Sequence, residues 1–275
     1  MKSGAERRSP ESLRRHYEVE KEIADRLKAT GDRAERAPIL AGMYAELFSR
    51  VPDHPRLTAQ RDPETEAQLV QRLLALLSPH LRRDTEYVEF GAGACALAFA
   101  VCPFVRRVRV VEIADQIPPE ARRPPNFELV LYDGGDPGIA PDSVDVVFSE
   151  QFVEHLHPDD AREHFALVQR MLRPGGRYVL RTPERWTGPH DVSRWFSTTP
   201  QGFHLREWSY ADLVHMGGQC GYRRCEATWN ARGICVRWPL GLALVVESAV
   251  ARMPLGWRRT LGHKLVPMVT LALVK

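Results

Sequence analysis

Two carboxylates and a glycine-rich turn are the first residues in this chain whose types and spacing suggest chemistry. The run Val88-Glu89-Phe90-Gly91-Ala92-Gly93-Ala94-Cys95-Ala96 places Glu89 at the end of an apolar strand, two residues before Gly91. Glycines at a strand-to-helix turn let the backbone approach a ligand closely. The spacing also fits G-x-G-x-x-A, the fingerprint of nicotinamide dinucleotide enzymes, so the turn alone does not choose a ligand. Glu89 separates the readings. A carboxylate buried there needs a cationic partner, since burying it alone is expensive. An amino group suits it, whereas a pyrophosphate would be repelled. Glu112 lies 21 positions after Gly91 and closes the next apolar run. An acid at about that distance accepts hydrogen bonds from ribose hydroxyls in either nucleotide reading. Asp115, close by, reads equally well as a loop carboxylate. Two further stretches are rich in polar groups: Glu154–Asp160 and Pro183–His204. The second is a 22-residue connection with two tryptophans, two phenylalanines and two histidines. Loops that long inside a compact domain are usually functional.

These residues need a scaffold, and the hydrophobic pattern supplies one. Residues 10–78 read as helices. Ser9-Pro10-Glu11 opens the first, a second runs from Asp32 to Ser49, the segment Val51–Thr58 with its two prolines breaks it, and a third starts at Asp62-Pro63-Glu64. From residue 86 short apolar runs alternate with helical stretches. Glu86–Phe90, Val108–Glu112, Glu128–Leu131, Val144–Ser149 and Arg177–Thr182 read as strands; Ala94–Cys102 and Asp159–Leu172 read as helices. Alternation of this kind implies βαβ units. Beyond lie a short helix at Tyr210–Gly217, a strand near Arg223–Asn230, an apolar helix at Leu240–Ala251 and a last strand at Val266–Val274. The expectation is an α/β, Rossmann-like, mostly parallel seven-stranded sheet with helices on both faces. It carries an N-terminal helical extension over 1–80, before a domain over 81–275. Pro174 and Gly175-Gly176 stop the helix before the fifth strand and permit a tight return.

Four blocks in this order resemble class I S-adenosylmethionine-dependent methyltransferases of the small-molecule type: VEFGAGACA (88–96), VVEIAD (110–115), YDGGDPGIAPDSVDVVFSEQFVEHL (132–156) and MLRPGGRYVLRTP (171–183). The resemblance covers roughly residues 60–225. It implies S-adenosylmethionine as cofactor, with Glu89, Gly91 and Gly93 at the methionine end and Glu112 at the ribose. Asp133 is implied at the adenine amino group, and Ser149, Glu150 and Gln151 around the sulfonium. The third glycine common in the first block is replaced by Cys95, which makes the turn bulkier. The tract 188–213 and VPDHPRLT are similar to a bacterial subgroup with some association to glycan or secondary-metabolite genes. Methyl transfer asks the protein mainly to align an acceptor, worth roughly 7–11 kcal/mol. A hydroxyl acceptor also needs a base, commonly a histidine. His190 is the first choice, with Asp191 or another acid to orient it; His155 and His157 are second choices. Trp186, Trp195 and Phe196, with Asp191 and His204, are the candidate acceptor-binding residues, although the aromatics fit a sheet-covering role equally well. His155, His157, Asp159 and His164 have metal-ligand types. However, Asp159 makes sense as a helix cap, and no metal is expected.

Composition sets the remaining bounds. A net charge of +3 on 275 residues is too small to argue for a nucleic-acid partner. The basic side chains Lys2, Arg7, Arg8, Arg14 and Arg15 read as a solvated terminus. No apolar run is long enough to span a bilayer. Five cysteines, with no C-x-x-C pair, read as reduced thiols and point to a cytoplasmic protein. The expected partner is a small-molecule or saccharide acceptor, methylated at oxygen. The competing readings are a nicotinamide-dependent oxidoreductase, a non-catalytic module of the same fold, and a methyltransferase for nucleic acid or protein. Ser149-Glu150-Gln151-Phe152, standing where an Asn-Pro-Pro-Tyr-like tetrapeptide would, counts against the last. Residues 10–78 could lid the site or form a homodimer contact.

Overall fold

The computed structural model describes residues 8–58, 62–132, 134–231 and 234–275. Helix α1 (Pro10–Ala29) is capped by Ser9, whose hydroxyl accepts from the Ser12 amide; α2 (Arg33–Arg50) is capped by Asp32. The proline-containing break holds one helical turn, α3 (Pro55–Thr58), and α4 (Pro63–Leu77) begins at the Asp62 cap. Helices α1 and α2 pack through Val19, Ile23, Leu27, Met43 and Leu47, and this cluster also takes in Phe203 and Leu205 from the long loop. Each fully buried aliphatic side chain of this kind contributes about 1.5–3 kcal/mol.

The sheet follows in βα order. Its elements are β1 (Glu86–Phe90), α5 (Ala96–Val101), β2 (Arg107–Glu112), β3 (Phe127–Leu131), β4 (Val144–Glu150), α6 (Pro158–Met171), β5 (Leu172–Pro183), α7 (Tyr210–Gln219), β6 (Arg224–Ala231), β7 (Ile234–Trp238), α8 (Leu240–Ala251), α9 (Leu255–Trp257), α10 (His263–Leu265) and β8 (Met268–Val274). The strand order is β3-β2-β1-β4-β5-β8-β6-β7. The run from β3 to β5 is parallel, whereas β8 is antiparallel to β5 and β6, and β7 is antiparallel to β6. The sheet thus has eight strands, one more than expected. The addition, β7, pairs with one neighbour only, and Val236 within it is half exposed. A short edge strand of that kind shows no strong alternation to read.

The period of two along each strand sorts the core into two layers. Val88, Phe90, Val147, Tyr178 and Leu180 face α6, α7 and α8. Tyr87, Val146, Phe148 and Val179 face α4 and α5. Helix α8 packs on the sheet through Ala243 and Val250. Among the described residues no helix is long and apolar enough to cross a membrane. The Pro174–Gly176 return, expected as a free turn, lies inside β5. The pairing shifts register between Val144 and Val146, and Gly175 takes a φ of +80° with its N–H on the Lys275 carbonyl at 3.1 Å.

Candidate functional site

Strand β1 delivers Glu89 to the sheet's carboxyl edge almost fully buried, at 4% exposure. Its carboxylate accepts one hydrogen bond among the described residues, from the Tyr87 hydroxyl at 2.9 Å. Burial, with Glu150 and Glu112 nearby, pushes its pKa up to about 8. No cation of the described residues neutralises it. The turn beyond is shaped by two glycines with positive φ. At Gly91 (φ +71°) a Cβ would stand 2.7 Å from the Phe152 ring, so only glycine fits. At Gly93 (φ +56°) a Cβ would meet nothing within 4 Å, so the backbone there faces open space.

Glu112 closes β2 and reaches back to this turn. One oxygen accepts the Gly93 N–H at 2.6 Å and the other accepts the Ile113 N–H at 3.1 Å. Burial raises its pKa and these two amides oppose the rise. The acid therefore holds the glycine loop in shape with one lone pair on each oxygen and leaves the others for a ligand. Cys95 adopts a φ of 61°, the left-handed region, and its thiol is fully buried. The expected extra bulk at this position is thus turned into the core, and the cost of replacing glycine is backbone strain.

Beyond β4 the expected trio divides. Ser149 pairs with Phe90 and lies on the face opposite Glu89; its hydroxyl meets the Tyr178 hydroxyl at 2.7 Å, which in turn meets His164 Nε2 at 3.0 Å. This hydroxyl belongs to a buried polar chain. Glu150 is on the Glu89 side and accepts from Arg181 at 2.9 Å; its second oxygen is buried without a partner among the described residues. Gln151 is exposed, with a φ of 48°. Asp133, the expected adenine contact, lies outside the described residues.

The long loop carries its own acid–histidine network. The Glu207 carboxylate, buried, accepts the His190 backbone N–H at 2.6 Å and faces His204 Nδ1 at 2.8 Å through the same oxygen. Close approach depends on Gly188, where a Cβ would stand 1.9 Å from the Glu207 carboxylate. The His190 ring places Nε2 3.0 Å from the Glu184 carbonyl and 3.1 Å from the Thr187 hydroxyl. A carbonyl only accepts, so Nε2 carries the proton and Nδ1 keeps the lone pair. Burial lowers the His190 pKa, which keeps the ring neutral. Asp191 does not orient this ring. Its oxygens accept the Ser193 and Gly202 amides at 2.9 and 3.1 Å and so fold the loop.

His155 rests its Nδ1 on the Phe203 carbonyl at 2.9 Å and stands edge-on to His204 at 5.1 Å; burial lowers its pKa to about 3. Burial alone would lower the His204 pKa too, but Glu207 and Glu154 outweigh it and hold the pKa at about 9. The three aromatics do not form one wall. Trp186 packs against the core under the Arg185 guanidinium, Trp195 is 49% exposed, and Phe196 stacks on Tyr17 of α1 at 4.7 Å. His157, not Asp159, caps α6: its ring accepts the Asp159 amide at 3.3 Å. Sequence reasoning missed Glu184 and Glu207. Both are buried acids whose partners the fold gathers, and no local pattern marks them.

Comparison with known proteins adds a similarity to methyltransferases. Residues 88–180 match the family model described as methyltransferase domain. A Mycolicibacterium smegmatis protein described as a probable S-adenosylmethionine-dependent methyltransferase is 28% identical over 144 residues, 52% of this chain and 54% of that protein. The match therefore spans about half of that curated relative. Two solved structures share the fold. One is Burkholderia thailandensis 1,6-didemethyltoxoflavin-N1-methyltransferase, with a TM-score of 0.55 at 15% identity over 90% of this chain and 91% of that one. The other is Haemonchus contortus phosphoethanolamine N-methyltransferase 1, with a TM-score of 0.53 at 15% identity over 80% and 54% of the two chains.

Proposed function

We propose that this chain, whose residues 88–180 match a methyltransferase domain, is a class I S-adenosylmethionine-dependent enzyme that transfers a methyl group to a hydroxyl of a small molecule or saccharide. The observation that carries the reading is Glu89: a buried carboxylate beside a glycine turn, with a hydroxyl but, among the described residues, no cation to meet it. An amino acid ammonium group fits that need; a dinucleotide pyrophosphate does not. Glu89, Gly91 and Gly93 would hold the methionine end, Glu112 the ribose, and Glu150 with Gln151 the neighbourhood of the sulfur. When bound, the cofactor supplies an electrophilic methyl group and a good leaving group.

The protein's own part is to hold the acceptor and remove its proton. In this reading the acceptor hydroxyl gives its proton to His190 Nδ1 as its oxygen bonds to the methyl carbon. His190 Nε2–H is anchored on the Glu184 carbonyl, which fixes the tautomer, and burial, by lowering the pKa, keeps the ring neutral with its Nδ1 lone pair free of a proton. Trp195 and His204 remain the candidate acceptor contacts on this loop. Helix α1 supports a covering role for residues 10–78. The Tyr17 hydroxyl donates to Gln201 at 2.6 Å, and Glu20 accepts the Phe203 N–H at 3.2 Å.

The test is transfer of labelled methyl from S-adenosylmethionine to a panel of hydroxylated small molecules and saccharides. Wild type should label an oxygen. His190→Ala should lose about 100-fold or more in turnover with cofactor affinity unchanged. Labelling of amines alone would overturn the oxygen assignment, and full activity in His190→Ala would overturn the base. Uptake of a nicotinamide dinucleotide in place of S-adenosylmethionine would overturn the whole reading.

A further inference from the structure

Among the described residues, two groups of three side chains carry metal-ligand types at close range: His16, Glu20 and His54, and Glu154, His155 and His204. In each group one ligand atom per residue lies within 4.8 Å of the others. Hydrogen-bond logic separates them. A guanidinium only donates, so His16 Nδ1 accepts from Arg8 at 2.8 Å, and its Nε2 must donate to Glu20 at 2.7 Å. Both nitrogens are used, and His54 Nδ1 already accepts the Arg56 N–H at 3.1 Å. That group is a closed hydrogen-bonded cluster.

The second group is open. The Phe203 carbonyl only accepts, so His155 Nδ1 carries the proton and its Nε2 is left for another partner. His204 Nδ1 donates to the Glu207 carboxylate, so Nε2 is the atom it can offer to a ligand. Glu154 is fully buried; one oxygen takes the Thr182 hydroxyl at 3.0 Å and the other has no partner among the described residues. An unmet buried carboxylate oxygen is costly. Histidines that bind metals almost always donate their other ring N–H to a carbonyl or carboxylate, as both do here.

We propose that Glu154, His155 and His204 form a binding site for one divalent transition-metal cation. Two imidazoles and one carboxylate suit zinc, cobalt or ferrous iron better than magnesium or calcium. Glu207, the Phe203 carbonyl and the Thr182 hydroxyl hold the three ligands in place. The absence of metal expected from sequence rested on a different set. His164 goes to Tyr178 and His157 caps α6, while the fold brings His204 to the Glu154-His155 pair.

The experiment loads the chelator-stripped full chain with Co2+ and follows visible d–d absorption, with Zn2+ as competitor. It reads metal uptake and is independent of methyl transfer. Wild type should bind a single equivalent. His155→Ala, His204→Ala and Glu154→Gln should each abolish the cobalt bands or weaken binding more than tenfold. Glu207→Gln should weaken it about 10–100-fold. His16→Ala should leave stoichiometry and spectrum unchanged. Circular dichroism on each variant shows whether it is folded; if Glu154→Gln is not, the two histidine variants carry the test. No stoichiometric uptake by wild type would overturn the proposal. So would uptake that survives every ligand substitution, or uptake lost in His16→Ala instead.

Discussion

Cys95 holds a left-handed backbone conformation, φ 61°, at the start of α5, with its thiol buried. An L-residue pays about 1–2 kcal/mol for that conformation and glycine does not. Comparing two thiol-free variants isolates the strain. Cys95→Gly should be more stable than Cys95→Ala by about 1 kcal/mol in urea unfolding. Equal stability, or a more stable alanine variant, would contradict it. The placements that sequence made legible at this scale are short-range ones. Glu89 and Glu112 each close a strand next to a glycine turn, and the contact from Glu112 to Gly93 follows from adjacent strands in register. Glu207 was illegible because its partners, His190 and His204, meet it only through loop folding. The Ser149 hydroxyl contact was illegible for a related reason: the strand's period of two turns the side chain away from Glu89, and its partner Tyr178 sits on the next strand.

At the scale of elements, a buried ion pair helps tie the helical N-terminal segment to the α/β layer. Arg36 of α2 is 2% exposed; its Nε donates to Asp160, in the first turn of α6, at 3.0 Å, and a second guanidinium nitrogen completes a two-pronged contact. Its third nitrogen donates to the Thr30 and Gly31 carbonyls at 2.7 and 2.9 Å. Removing one member leaves a buried charge without its partner. Arg36→Met and Asp160→Leu should each destabilise by about 3–5 kcal/mol, and the double variant by clearly less than their sum. Urea titration of the four proteins checks this; additive losses would contradict it. Elements with a long apolar run were readable, such as the helix at Leu240–Ala251, whose bounds the structure reproduces. The docking of α1 and α2 was not, because its contacts join residues far apart in the chain, as Glu20 and Phe203 do.

At the scale of the whole molecule, a parallel sheet sends the carboxyl ends of β1, β2, β4 and β5 to one edge, where this fold binds ligands. The chain crowds buried acids there. Glu89 and Glu184 both have pKa values pushed up to about 8 by burial, and Glu154 to about 7. A carboxyl whose folded pKa is raised favours its neutral form. Each of these therefore stabilises the fold below the ordinary carboxylate range and loses that contribution as pH climbs through the raised value. A cationic ligand reverses the effect by favouring the ionised acid. At pH 6.5 the free Glu89 is protonated, and the cofactor's α-amino group, ordinarily near pKa 7.7–8.0, is an ammonium. Their contact ionises Glu89, so one proton must leave to buffer, and affinity must rise as pH approaches 8.

The direct measurement is calorimetric binding of S-adenosylmethionine at pH 6.5 in two buffers of different ionisation enthalpy, for wild type and Glu89→Gln. Wild type should release about one proton more than the variant and bind at least about tenfold more tightly. Identical proton release with identical affinity would mean that Glu89 never meets the ammonium group, and the cofactor assignment at the glycine turn would be wrong.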